Sequence, residues 1–183
     1  MRRAARLAVV VFAVFGAGGA VRSAAADDAT FELSSPAFAA GADIPRDFTC
    51  EGADRPPPLA WRGAPPGTRS FALIVDDPDA PDPAAPKMTW VHWVLYAIPP
   101  DATRLDGTAL PAGTVAGTSE FRRTRYGGPC PPVGIHRYFF KLYALDSALP
   151  ALGAADKATL EAAMRGHVLT QATLLGRYRK TGN

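Results

Sequence analysis

The chain has 183 residues, 48% of them hydrophobic, a share too high for a disordered polypeptide. Its 18 prolines and 17 glycines point to many short strands joined by turns. Four of its 20 Lys+Arg (Arg2, Arg3, Arg6, Arg22) fall in the first 26 positions, which hold no acid; the rest carries 16 basic against 17 acidic residues, net −1, and gives no electrostatic reason to expect nucleic-acid binding.

Residues 1–26 read as a secretory signal peptide. Arg2, Arg3 and Arg6 form a positive start, Leu7–Phe15 a short apolar core, and Ala24-Ala25-Ala26 a small-residue cleavage site. The core is shorter than the roughly 20 apolar residues of a membrane span. The expectation is an exported, periplasmic or secreted protein whose mature part, 27–183, is one domain without a transmembrane segment.

Thr30–Leu33 alternates like a strand, and Ser34–Cys50 is turn-rich. Arg55-Pro56-Pro57-Pro58 is extended, and Trp61 marks another short strand before Pro65-Pro66-Gly67. Phe71–Val75 reads as a buried strand. It is expected to stop at Asp76-Asp77-Pro78-Asp79-Ala80-Pro81, because proline lacks a backbone N–H and restricts the residue before it. That segment then reads as a rigid loop carrying carboxylates, and His92 stands near the start of the next strand. Val91–Ile98 is apolar on both faces, with His92, Val94, Tyr96 and Ile98 expected on one and Val91, Trp93, Leu95 and Ala97 on the other.

Asp101–Ile135 is a long connection of weak periodicity, in which Arg122, Arg123 and Arg125 read as a solvated face. Tyr138–Leu145 is the clearest strand, and its alternation points His136, Tyr138 and Phe140 the same way. Asp156–Arg165 reads as a helix with Asp156 as N-cap and Gly166 just past its end. Val168–Tyr178 reads as a strand, and His167 as a packing or capping residue. Cys50 and Cys130 are the only cysteines; in an exported chain they are expected to form a disulfide bracing the Gly128–Pro132 turn.

Two long motifs carry a resemblance. DPDAP at Asp77–Pro81 with W-x-H at Trp90–His92, and GPCPP…HRY at Gly128–Tyr138, resemble the paired signature regions of the phosphatidylethanolamine-binding (Raf kinase inhibitor-like) family. FTCEG at Phe48–Gly52 and LAW at Leu59–Trp61 extend the likeness, which looks closest to the bacterial branch. The resemblance implies an all-β fold: two antiparallel sheets in a Greek-key sandwich, with one or two peripheral helices. It implies a small cavity for phosphate-like anions, a phospholipid headgroup or a phosphorylated ligand, with Asp77, Asp79, Pro81, His92, Pro131, His136 and Tyr138 as binding residues. It also suggests cis peptides at Ala80–Pro81 and Thr89–Trp90.

Imidazole and phenol groups donate hydrogen bonds to phosphate oxygens, and backbone N–H groups of the Gly127–Gly134 loop offer further donors. The resulting expectation is binding without catalysis and without a cofactor. Two other readings stand beside it. One is a protein-interaction or inhibitor module with a vestigial cavity. The other is a hydrolase holding a metal on Asp77, Asp79, His92 and His136, although no HExxH spacing is present.

Overall fold

The computed structural model describes residues 30–107 and 109–182. The signal peptide expected over residues 1–26 lies outside the described residues. Eight strands and one α-helix follow in order among the described residues: β1 (Glu32–Ser34), β2 (Leu59–Arg62), β3 (Ser70–Ala80), β4 (Met88–Ile98), β5 (Arg104–Leu105), β6 (Val115–Ala116), β7 (His136–Leu145), α1 (Lys157–Met164) and β8 (Val168–Tyr178). They make a three-stranded sheet, β1-β2-β5, and a five-stranded sheet, β6-β4-β3-β7-β8, with every pairing antiparallel.

The apolar runs bury in two places. Leu33, Leu59, Trp61 and Leu105 of the small sheet pack on Phe71, Leu73, Val75, Leu95, Phe140 and Leu142 of the large one. On the outer face of the large sheet, Ala72, Ile74, Val91, Val94 and Tyr96 pack beneath Leu160 and Met164 of α1. β4 is therefore apolar on both faces because a sheet covers one and the helix covers the other. Asp156 caps α1 through Thr159 N–H at 2.8 Å, and Gly166 takes φ 81°, as the spacing predicts.

Three expectations change. First, β3 does not end at Val75. It runs through Asp76–Ala80, and Asp77 pairs with Trp90 and Ala80 with Met88. Pro78 is tolerated because the register shifts between Asp77 and Ala80, a bulge where a ladder N–H is not needed. The turn is confined to Pro81–Lys87.

Second, β4 does not alternate cleanly. Val75 pairs with Trp93 and Asp76 with Val91, so His92 is the extra residue of a bulge. A second shift falls between Phe71 and Leu73, beside Ala97 at φ 53°. As a result Trp93, Leu95 and Ile98 share the inter-sheet core, whereas Val91, Val94 and Tyr96 face α1.

Third, Ala80–Pro81 is cis and Thr89–Trp90 is not; the cis form of a non-proline bond costs about 3–4 kcal/mol, and the pocket wall forms without it.

Candidate functional site

The site forms where β3, β4 and β7 end together. β3 brings Asp77 and Ala80, β4 brings Trp90 and His92, and β7 brings His136 and Tyr138. Pro81, Phe121, Cys130, Pro131 and Pro132 complete the wall of a cavity of about 300 Å³. A wider groove of about 700 Å³ lies at Pro99–Ala112, but its acids, Asp101 and Asp106, are solvent-exposed.

The carboxylate of Asp77 is fully engaged. Its Oδ1 accepts Asp79 N–H at 2.8 Å, and its Oδ2 lies 2.7 Å from His136 Nδ1. The other ring nitrogen of His136 lies 3.1 Å from the Val133 carbonyl. Both partners are acceptors, so His136 is held from both sides and has no spare donor for a ligand.

His92 is held from one side only. Its Nδ1 donates to the Gly127 carbonyl at 2.6 Å, while Gly127 N–H donates back to the His92 carbonyl at 3.1 Å. A side chain at position 127 would strike the Phe121 ring, at 2.4 Å from an ideal Cβ, so this double contact requires glycine. Phe121 stands edge-on to both Trp90 and His92, with centroids 5.5 Å away. His92 is 3% exposed, and that burial pushes its imidazole below the ordinary histidine range.

His92 Nε2 and Tyr138 Oη are buried and have no hydrogen-bond partner. Burial, with Asp77 nearby, pushes the Tyr138 phenol far up, so it stays protonated. Such orphaned groups are rare in folded proteins and mark places where a ligand or water completes the set. They are what this wall offers a guest.

Asp79 does not line the cavity. Arg137 takes it with Nε at 2.9 Å, Nη2 at 2.7 Å and its backbone N–H at 2.9 Å, and this holds the carboxyl below its usual range. The Gly127 and Gly128 N–H groups are spent too, on the His92 carbonyl and on Asp54 Oδ1. Arg123 is not a solvated cation: it pairs with Asp54 at 3.1 Å and lies over Phe121. His167 is exposed and pairs with Asp146 instead of packing. Cys50 and Cys130 form a disulfide, and its Cys130 end lines the cavity. The described residues hold no cluster of three or more His, Cys, Asp or Glu arranged for a metal.

The phosphatidylethanolamine-binding protein family, as a family-wide sequence description, matches residues 34–179. The chain belongs to the phosphatidylethanolamine-binding protein family. Within that family it is 46% identical over 153 residues to a UPF0098 protein of Methanothermobacter thermautotrophicus, covering 81% of this chain and 98% of the relative. A UPF0098 protein of Aquifex aeolicus is 40% identical over 179 residues, covering 94% and 96%. Among solved structures, a phosphatidylethanolamine-binding protein homologue from Chlamydia trachomatis superposes with TM-score 0.78 at 36% identity, covering 84% of this chain and 99% of the other. YbcL of Escherichia coli, described as a member of the mammalian family, superposes with TM-score 0.75 at 30% identity, covering 82% and 99%. The two-sheet fold with one helix is the fold of these neighbours.

Two site residues carry no motif signal of their own. Phe121 sits in GTSEF, a stretch without strand periodicity, and Gly127 is one glycine of a turn-rich run. Only the fold brings them to His92.

Proposed function

We propose that this protein binds a phosphate-like anion in the cavity, either a phospholipid headgroup or a phosphorylated ligand, and does so without turnover. The observation that carries this reading is the pair of buried, unpartnered polar atoms at one small wall, His92 Nε2 and Tyr138 Oη. Family membership favours a binding protein of this type. Two groups of the lining are out of play as nucleophiles, which supports binding over catalysis: Cys130 is bonded to Cys50, and Tyr138 is held as a phenol. We further propose that residues 1–26 are removed and that 27–183 is exported as the working domain, an environment that suits the disulfide.

A second reading, docking of a protein partner at the cavity mouth, is favoured by one surface feature. Met88, Val133 and Ile135 are large, apolar and exposed, and they flank the mouth on the β4 end and on the 131–135 loop. Calorimetric titration of the mature protein with inorganic phosphate and phosphoethanolamine separates the two. Saturable binding that Tyr138→Phe weakens supports the anion site. No heat with either anion moves the function to the rim.

A further inference from the structure

We infer that the cavity selects phosphate groups that carry a P–OH: a phosphomonoester, or inorganic phosphate, taken as its protonated monoanion, with the P–OH donating to His92 Nε2 and Tyr138 Oη–H donating to a phosphoryl oxygen. This rests on the anion-binding reading above and narrows it.

The argument is one of hydrogen-bond polarity. The Gly127 carbonyl can only accept, so at 2.6 Å the proton of His92 sits on Nδ1. Gly127 holds that tautomer firmly, because its own N–H is tied back to the His92 carbonyl. In a neutral ring, Nε2 is then a bare lone pair, an acceptor at the cavity wall. An unprotonated phosphate oxygen would meet it lone pair to lone pair. A P–OH meets it donor to acceptor.

Every charge that faces His92 is already paired. From β3, Asp77 is tied to His136 and the Asp79 N–H, while Asp76, on the opposite face of the strand, is tied to Lys141 and Lys157. From the loop before β2, Asp54 is tied to Arg123 and the Gly128 N–H. From β7 come the tethered His136 and the un-ionised Tyr138. Burial is therefore left to keep the ring neutral, in line with the direction of its shift. A phosphodiester group and sulfate carry no O–H on phosphorus or sulfur at neutral pH, so neither anionic group can donate to Nε2.

The test uses the mature protein labelled with ¹⁵N-histidine and four probes: inorganic phosphate, phosphoethanolamine, glycerophosphoethanolamine as the diester, and sulfate. Calorimetry at pH 6.0 and 7.5 in buffers of different ionisation enthalpy gives affinity and protons taken up; nitrogen NMR reports the state of His92 Nε2. Phosphate and phosphoethanolamine are expected to bind at least tenfold more tightly than the diester and sulfate. The affinity of phosphoethanolamine should fall by up to about tenfold per pH unit above its second phosphate pKa of about 6, with close to one proton taken up at pH 7.5; inorganic phosphate, which loses its second proton at higher pH, should lose less affinity and take up a smaller fraction of a proton. Nε2 should keep its unprotonated shift in the complex. Equal binding of all four probes with a protonated Nε2 overturns the inference and leaves the anion-binding reading standing. No binding of any probe removes both.

Discussion

Asp76 and Asp77 are consecutive on β3, yet they serve opposite faces of one sheet. Asp76 turns outward and accepts from Lys141 Nζ at 2.8 Å and from Lys157 Nζ of α1 at 2.6 Å. Asp77 turns toward the cavity and anchors His136 at 2.7 Å. Strand alternation alone produces this division of labour. Asp76 ties the helix to the sheet; Asp77 shapes the site.

The two aspartates should therefore separate on substitution. Asp76→Asn leaves two quarter-exposed lysines without their carboxylate and is expected to cost about 2 kcal/mol of stability with anion binding intact. Asp77→Asn breaks a fully buried pair and is expected to cost about 3 kcal/mol and to weaken binding at least tenfold. Urea unfolding and calorimetry on both variants check this. Equal loss of binding in the two contradicts the assignment.

Tyr138→Phe should act in opposite directions on stability and binding. The Tyr138 hydroxyl is buried without a partner, and a buried polar group left unsatisfied costs about 1–3 kcal/mol. Its removal is expected to raise the stability of the ligand-free protein by about 1 kcal/mol. The same change removes a donor to the anion and should weaken binding about tenfold. A variant both less stable and unchanged in affinity contradicts the account.

Stability of the ligand-free protein should fall as pH drops below 6.5. Burial holds the folded-state pKa of His92 below the ordinary histidine value of about 6.5, so the unfolded chain binds this proton more readily. The contribution is fully present above pH 6.5 and is lost as pH falls toward the folded value. His92→Gln should flatten the slope of unfolding free energy between pH 6.5 and 5.5. An unchanged slope in the variant places the titration at another group.

Reduction of the Cys50–Cys130 disulfide should lower stability by about 2–5 kcal/mol, since the bridge closes a loop of 80 residues. Binding should weaken as well. The bridge holds the turn whose Gly127 carbonyl fixes the His92 ring, and Cys50 N–H donates to the Pro129 carbonyl alongside it. Cys50→Ser, measured by thermal unfolding and by phosphate titration, checks both effects.

The sequence makes β7, β8 and α1 legible because each has a clean period and a recognisable end, as with Asp156 and Gly166 around the helix. The resemblance carried by its two long motifs, and not their spacing, brings His92, His136 and Tyr138 to one place. Its expectations fail where local rules compete with tertiary pairing. Pro78 argues for a loop, but a bulge lets β3 continue past it. Two-residue alternation misplaces Val91 and Ile98, because extra residues at His92 and beside Ala97 reverse the faces. Asp79 resembles a site acid, yet cross-strand register gives it to Arg137. Nothing in the composition of residues 117–127 signals that they run along the edge of β4, where Gly117, Glu120 and Gly127 each donate to a β4 carbonyl.

The most direct test of the central claim is a crystal structure of the mature protein with phosphoethanolamine. The account predicts the phosphate in the cavity, with oxygens within about 3 Å of both His92 Nε2 and Tyr138 Oη, and the Asp77–His136 pair intact. An empty cavity with the anion seated instead between Arg55 and Arg125, in the cleft beside Trp93 and Tyr126, would contradict it.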